Sequence, residues 1–300
     1  MATLKEVQSK IVSVKKTRQI TSAMKMVATS RLRGAQSRME AFKPYAAKFA
    51  EVLGSIAGKS GDDASPLLVS RDEIKKVALI LCTSDRGLCG GFNHSIISKA
   101  EKLIQSELED KATSFICFGK RGRDWAKKEH QPIDDQYIGV VGGMIEFGMA
   151  SASGQKMIDS FLDGAVDEVY LIYSKFVNMA RQVPTIKKVL PIPSLEGVPD
   201  ESAEKEVDKD AGFLPEHICE PSSDALLGEM LPKNIFIQIY DALLQTSTSE
   251  HAARMRAMEN ATKACEDMVG ELQTIFNKTR QTAITSELMD IVGGAEALKG

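Results

Sequence analysis

The stretch Leu32-Arg33-Gly34-Ala35-Gln36-Ser37-Arg38-Met39-Glu40-Ala41-Phe42 decides the fold. Its apolar residues Leu32, Ala35, Met39 and Phe42 alternate in three- and four-residue steps, and the series continues through Ala46, Phe49, Leu53 and Ile56. That is one face of a helix, close to the heptad of a coiled coil. Upstream the same rhythm runs through Leu4, Val7, Ile11 and Val14. Between the two runs the phase slips. Ile20, Ala23, Met24 and Val27 are apolar, while Arg18, Thr21 and Lys25 hold the expected seam positions. Such a slip changes the local winding of a coiled coil. At ~1.5 Å per residue, about 55 residues make a helix roughly 80 Å long, longer than a small domain is wide. Pro44 removes an intrahelical donor and is expected to bend or interrupt the helix. Gly58-Lys59-Ser60-Gly61-Asp62-Asp63 is expected to end it as a linker.

A second segment of this kind closes the chain. From Lys233 to about residue 292 there is no proline and one glycine, Gly270. Apolar residues recur at Phe236, Ile239 and Leu243, and again at Met255, Met258, Cys265, Val269, Leu272 and Phe276. Ser222 or Ser223 is expected to cap a short helix through Leu231, and Pro232 to open the next one. Ser247-Thr248-Ser249-Glu250-His251 reads as a weak point. Neither long helix buries its seam alone, so the two are expected to pair. A globular segment lies between them in sequence, so they should run antiparallel.

That segment changes period. Residues 77–82 (Val-Ala-Leu-Ile-Leu-Cys) form a buried strand candidate, followed by a helix over 93–109, a strand over 114–118 and a short helix over 121–129. A third strand is expected around 137–141, a helix over 144–162 and a strand over 168–173. Residues 175–178 and 183–190 are expected to pair as a hairpin. Strands alternating with helices predict a parallel sheet with helical crossovers. The expected fold class is α/β: a long antiparallel two-helix coiled coil plus a central Rossmann-like domain. The expected parts are 1–58 (first shaft helix), 74–195 (α/β domain), 196–222 (acidic connection) and 223–297 (second shaft helix).

Composition narrows the function. Of 300 residues, 43% are hydrophobic and 26% charged, with 10 Pro and 1 Trp. That fits a folded helical or α/β chain and excludes collagen, wholesale disorder and a disulfide scaffold. No apolar run approaches the ~20 residues of a membrane span. The first residues, Met-Ala-Thr-Leu-Lys-Glu-Val, resemble neither a signal peptide nor a transit peptide. The five cysteines (82, 89, 117, 219, 265) are scattered without a Cys-x-x-Cys pair and read as free thiols. The four histidines are too dispersed for a metal site. Charge is segmented. Residues 1–59 carry 12 basic and 3 acidic side chains, whereas 196–224 carry 2 and 10. A basic segment suits nucleic acid, anionic lipid or an acidic protein surface, and is also simply a solvated face.

Catalytic motifs are missing. There is no Gly-x-Ser-x-Gly, no His-Glu-x-x-His and no acidic metal loop. After the first strand comes Thr83-Ser84-Asp85-Arg86-Gly87-Leu88-Cys89-Gly90-Gly91-Phe92-Asn93. A glycine-rich strand-to-helix turn can cradle phosphate, yet neither the P-loop nor the dinucleotide fingerprint is present. A tight capped turn and a partner-binding loop are the other readings.

Three separated stretches resemble the gamma subunit of F-type ATP synthase, bacterial type. They are residues 10–28 (Lys-Ile-Val-Ser-Val-Lys-Lys-Thr-Arg-Gln-Ile-Thr-Ser-Ala-Met-Lys-Met-Val-Ala), the loop Ser84-Asp85-Arg86-Gly87-Leu88-Cys89-Gly90-Gly91, and residues 284–297 (Ile-Thr-Ser-Glu-Leu-Met-Asp-Ile-Val-Gly-Gly-Ala-Glu-Ala). Their order and the chain length agree with the family. The resemblance implies a non-catalytic central stalk without cofactor or metal. The coiled coil would turn inside the ring of alpha and beta subunits, and the α/β domain would contact the epsilon subunit and the membrane c ring. Proton flow through that ring would drive ATP synthesis, or ATP hydrolysis would drive the reverse. It further implies beta-subunit contacts at Met24, Lys25, Arg86, Arg280, Gln281, Thr285 and Glu287, and a peripheral place on the cytoplasmic face of the bacterial inner membrane. The paired regulatory cysteines of chloroplast members have no counterpart between residues 190 and 223, where Cys219 stands alone.

Overall fold

The computed structural model describes residues 3–57, 65–71, 73–193 and 222–297. The expected 196–222 connection, Cys219 and the Gly58–Asp63 linker therefore lie outside the described residues, save Ser222. The elements are α1 (Leu4–Ala57), β1 (Lys76–Cys82), α2 (Phe92–Glu107), β2 (Ala112–Phe118), α3 (Lys120–Lys128), β3 (Ile133–Tyr137), α4 (Phe147–Leu162), β4 (Glu168–Phe176), β5 (Gln182–Leu190) and α5 (Ser223–Ala297). By packing, the chain divides into one unit of Arg31–Ala253 and another of Met1–Ser30 with Arg254–Gly300.

The first unit is built on a five-stranded sheet of order β3-β2-β1-β4-β5. Strands β1 to β4 are parallel, and β5 returns antiparallel to β4 as the expected hairpin. Strand β1 is buried on both faces because helices cover both. Val77, Leu79 and Leu81 join Phe115, Cys117, Ile172 and the α2 residues Ile96, Ala100 and Leu103. Ala78, Ile80 and Cys82 point the other way, to Ile116, Phe118 and Leu171, the α4 residues Met157 and Phe161, and Met39, Leu53, Leu231 and Leu243 of the long helices. Burial pushes the Cys117 thiol up to about 12 and the Cys82 thiol higher still. Both are inert core groups.

Several expectations needed correction. Pro44 does not interrupt α1, which is one helix from Leu4 to Ala57; Met39, Leu53 and Ile56 on either side are buried in the core and offset the lost donor. Pro232 likewise lies inside α5 instead of opening a new helix, between buried Leu231 and Ile235. Ser222 does cap that helix: its Oγ accepts from Ala225 N at 3.2 Å. The 247–251 stretch is no weak point. It is helical and buried on every side. Thr248 Oγ1 donates to Leu244 O at 2.8 Å, Ser249 Oγ donates to Ser174 O at 3.1 Å, and His251 Nδ1 lies 2.8 Å from Glu250 Oε2. The third strand covers Ile133–Tyr137, not 137–141. Gly139 takes φ +84°, and Val140 and Val141 turn back into the core. Helix α4 starts at Phe147, leaving Met144 in the preceding loop.

An ion pair ties the entry of β1 to the entry of β4. Asp167 accepts from Arg71 Nη1 at 2.6 Å and from the N–H groups of Lys75 and Lys76 at 2.8 Å each. Burial pushes its carboxyl up, but the Lys76 and Lys75 amides and the Arg71 guanidinium together hold it below its ordinary value. A carboxyl lowered by folding stabilises above its unfolded pKa of about 3.9, and that stabilisation is lost as pH falls through the folded value. Asp167→Asn should therefore lose about 1–3 kcal/mol at pH 7. Urea unfolding at pH 7 and pH 3 checks this, because the gap to the parent chain should narrow at the lower pH.

The second unit is an antiparallel helix pair. Thr262 Oγ1 donates to Thr21 Oγ1 at 2.8 Å; Arg18 reaches Glu266 at 3.6 Å and Lys25 reaches Glu259 at 2.6 Å. Numbers rise along α1 as they fall along α5, so the strands of the pair oppose. Val7, Ile11 and Leu272 form its apolar seam, with Val14 and Phe276 against them.

Candidate functional site

The helix pair is inverted in its middle. Thr21 faces α5 and is 9% exposed, whereas Ile20, Met26 and Val27 are 60%, 66% and 55% exposed. The phase slip in the sequence is the cause: it turns polar residues into the seam and apolar ones outward. Met24 is half-buried beside them. Lys25 is held by Glu259, whose carboxyl it keeps below its ordinary range. Met268 and Ile275 on α5 are exposed as well.

Beyond this stretch α5 runs out of partner. The pairs Arg18–Glu266 and Lys25–Glu259 set a register that places Leu4, where α1 begins, opposite about residue 280. From 280 to 295 every residue of α5 is exposed. At about 100° per residue, Ile284, Leu288, Ile291, Val292 and Ala295 gather on one half, with Met289 at its border. The opposite half holds Ala283, Ser286, Asp290, Gly293 and Gly294. The terminal helix is therefore bulky and apolar on one side, small and polar on the other. Gln281 and Thr285 lie on the apolar side, with the Thr285 hydroxyl returned to Gln281 O at 2.9 Å; Arg280 and Glu287 flank it. These four residues share one exposed helix segment. Met24 and Lys25 lie elsewhere along the pair, since Lys25 faces residue 259, roughly 30–40 Å away along α5.

Arg86 belongs to the sheet unit, on the loop that leaves β1. This loop is packed by its own side chains. Asn93 Oδ1 accepts from Ser84 N at 2.9 Å, and Asn93 Nδ2 donates to Ser84 Oγ at 2.8 Å and to Cys89 Sγ at 3.2 Å. Ser84 Oγ donates to Arg86 O at 2.6 Å. Asp85 Oδ1 accepts from Lys120 N at 3.1 Å and Gly139 N at 3.0 Å, tying three connections together. The loop is thus a tight self-bonded turn that presents Arg86 and, at φ +63°, Leu88 outward. The tight turn with an Asn or Ser cap is among the readings the sequence offers, and Asn93 bonded to Ser84 agrees with it; the role of Asp85 was not read from the sequence, since only the fold brings Gly139 to it. Among the described residues no cluster of three or more His, Cys, Asp or Glu could hold a metal, and no helix is long and apolar enough to cross a membrane.

Comparison with known proteins agrees with this arrangement. The ATP synthase family profile matches residues 3–298. The chain is 73% identical over 300 residues to the ATP synthase gamma chain of Desulforapulum autotrophicum, covering 99% of this chain and all of that one. It is 56% identical over 305 residues to the gamma chain of Desulfosudis oleivorans, with both chains fully covered. Among solved structures it resembles the central stalk and c-ring assembly of Tetrahymena thermophila mitochondrial ATP synthase, with TM-score 0.56 and 26% identity over 81% of this chain and 99% of that one. A rotor chain of Euglena gracilis mitochondrial ATP synthase shares the fold, with TM-score 0.63 and 20% identity over 94% and 98% of the two chains. With a family profile over residues 3–298 and whole-length identity of this order, the chain belongs to the ATP synthase gamma-chain family.

Proposed function

We propose that the chain works as the rotating central shaft of a bacterial F-type ATP synthase, a non-catalytic subunit that couples proton flow through a membrane c ring to ATP synthesis or hydrolysis on beta subunits. The observation that carries this reading is the inverted patterning of the helix pair. Ile20, Met26 and Val27 on α1, and Ile284, Leu288, Met289, Ile291 and Val292 on α5, are all more than 48% exposed. Bulky apolar groups held exposed in clusters on each of these two segments mark interaction surfaces. A ring of alpha and beta subunits would sheathe it.

The two-faced end of α5 supplies the coupling. A ligand or partner shifts an equilibrium only through contacts that differ between states. A helix apolar on one side and small and polar on the other offers each of three surrounding catalytic subunits a different surface at each angle. Arg280, Gln281, Thr285 and Glu287 would meet facing beta loops on that segment, while Met24 and Lys25 would meet another beta loop lower on the shaft. Lys25 would exchange Glu259 for an acidic loop residue at little cost, because both partners are largely exposed. Arg86 would meet the ring from the sheet unit. The α/β unit would contact the epsilon subunit and c ring, holding the chain peripherally at the cytoplasmic face of the inner membrane. Parts 1–58, 74–195, 196–222 and 223–297 would then serve as shaft helix, foot, acidic connection and shaft helix.

Reconstitution tests the reading. With purified alpha and beta subunits the chain should assemble as one copy per ring and restore rapid ATP turnover. ATP hydrolysis by the chain alone would overturn it and return the Ser84–Gly91 turn to the nucleotide-site reading.

A further inference from the structure

The parallel strands β1, β2, β3 and β4 all end at one edge of the sheet, at Cys82, Phe118, Tyr137 and Phe176. The connections leaving that edge carry Leu88 (63% exposed), Ile138 (43%), Met144 (70%), Val177 (50%) and Met179 (51%). The opposite edge, where α4 ends and β4 begins, shows Leu162, with Val69 ahead of β1. Apolar exposure in this unit is therefore concentrated at the carboxyl ends of the strands.

The outermost part of this edge is the tip of the β4–β5 hairpin, and it is stiff. Asn178 Oδ1 accepts from Ala180 N at 2.8 Å and Arg181 N at 2.7 Å. Arg181 N donates to Asn178 O at 3.2 Å, and Gln182 Nε2 donates to the carbonyls of Asn178 and Met179 at 3.0 and 3.1 Å. A turn with this many internal bonds loses little freedom on binding. It has no need of Val177 or Met179 for its own folding, yet it holds both out in solvent. Strand β4 neighbours β1, so the tip stands beside the Arg86 loop. Ser249 of α5 bonds Ser174 close by, near the end of this unit's share of α5.

The charge of the edge names the partner's chemistry. Arg86, Lys120, Arg121 and Arg181 are exposed there. Of the acids near them, Asp85 has one carboxylate oxygen committed to two backbone amides and Asp124 is paired with Arg123, which leaves Glu146. An apolar and basic edge fits an acidic protein loop that also carries apolar side chains. We propose that this edge, with Val177, Met179 and Arg181 as its leading contacts, is a second docking surface for acidic loops of the alpha/beta ring, beside the one at Arg86. The proposal rests on the shaft reading above and adds the hairpin tip to it.

The test uses the complete complex of alpha, beta and this chain. A photo-crosslinking amino acid replaces Met179 in one preparation and Leu162 in another. Irradiation should join position 179 to an acidic peptide of alpha or beta and leave position 162 unjoined to either. The paired change Val177→Glu with Met179→Glu should keep the circular dichroism and melting of the chain and lower ATP turnover of the complex about threefold or more. Crosslinks from 179 to a second copy of the chain, to lipid or to nothing would overturn the proposal, as would unchanged turnover. If the parent chain failed to assemble with the ring at all, the shaft reading itself would fall. Assembly with position 179 silent would sink only this inference.

Discussion

A chain carrying Ile284→Glu, Leu288→Glu and Ile291→Glu is expected to melt at the temperature of the parent chain and to fail inside the complex. The three residues are 50%, 56% and 68% exposed and lie past the level of Leu4, where α1 begins. They support nothing within the chain. Surface changes of this kind shift stability by about 0.5 kcal/mol or less, and glutamate is a better helix former than isoleucine. Inside a ring that packs against the apolar half of α5, the same changes would bury three carboxylates. Each unpaired buried charge costs several kcal/mol, and each ~1.4 kcal/mol is a factor of ten. ATP turnover of the reconstituted complex should fall at least about tenfold. The matched change on the other half, Ser286→Glu, should alter turnover little. Melting and turnover measured on the same preparations separate the two effects. A triple variant that turns over normally would mean that the apolar half of α5 meets no partner.

Gly119→Ala should have the opposite signature: a large loss of stability in the chain alone. Gly119 follows β2 and precedes α3 with φ +100° and ψ 146°, a region open essentially to glycine. A Cβ there would stand 2.1 Å from Thr83 O and 2.7 Å from Thr83 C. Both atoms are backbone, so no rotamer change relieves the clash. The crossing is fixed on all sides. Thr83 N donates to Phe118 O at 2.8 Å, Gly119 N donates to Tyr137 O at 2.9 Å, and Gly122 N donates to Thr83 Oγ1 at 2.8 Å. Backbone strain of about 1–3 kcal/mol and overpacking of about 1–3 kcal/mol give an expected loss of roughly 3–5 kcal/mol. Domains of this kind have about 5–15 kcal/mol in all. The urea midpoint of the sheet unit should drop sharply, and a near-parental midpoint would show that the β2–α3 crossing can shift.

How far the sequence spoke depends on which force sets each feature. Both long helices were legible because their seams repeat over many turns, and the β1 strand because it is apolar on consecutive residues. The inverted stretch was legible as a phase slip at Ile20–Val27 with Thr21 at a seam position, although only the structure showed that Thr21 pairs with Thr262. Pro44 does not interrupt its helix and Pro232 does not open a new one, because a local rule met a tertiary one. One lost hydrogen bond at Pro44 or Pro232 is small against the burial of the neighbouring Leu53, Leu231 and Ile235. The third strand was misplaced because Ile133-Asp134-Asp135-Gln136-Tyr137 reads as polar; as an edge strand it needs only alternate residues inward. The buried 247–251 stretch defeated composition altogether, since nothing local marks Ser249 as a partner for a carbonyl of β4. At the loop after β1 the motif and its capped turn were visible, but the bonds of Asp85 to Lys120 and Gly139 depend on α3 and the chain after β3 and lie beyond local pattern.

The most direct test of the shaft reading is to watch the chain turn. The alpha/beta ring would be fixed to a surface and a bead tethered to the chain through Leu162→Cys, on the exposed end of α4. With ATP supplied, the account predicts rotation of the bead in one direction, stopping when ATP is withdrawn. A ring that hydrolyses ATP while the attached bead stands still would contradict it.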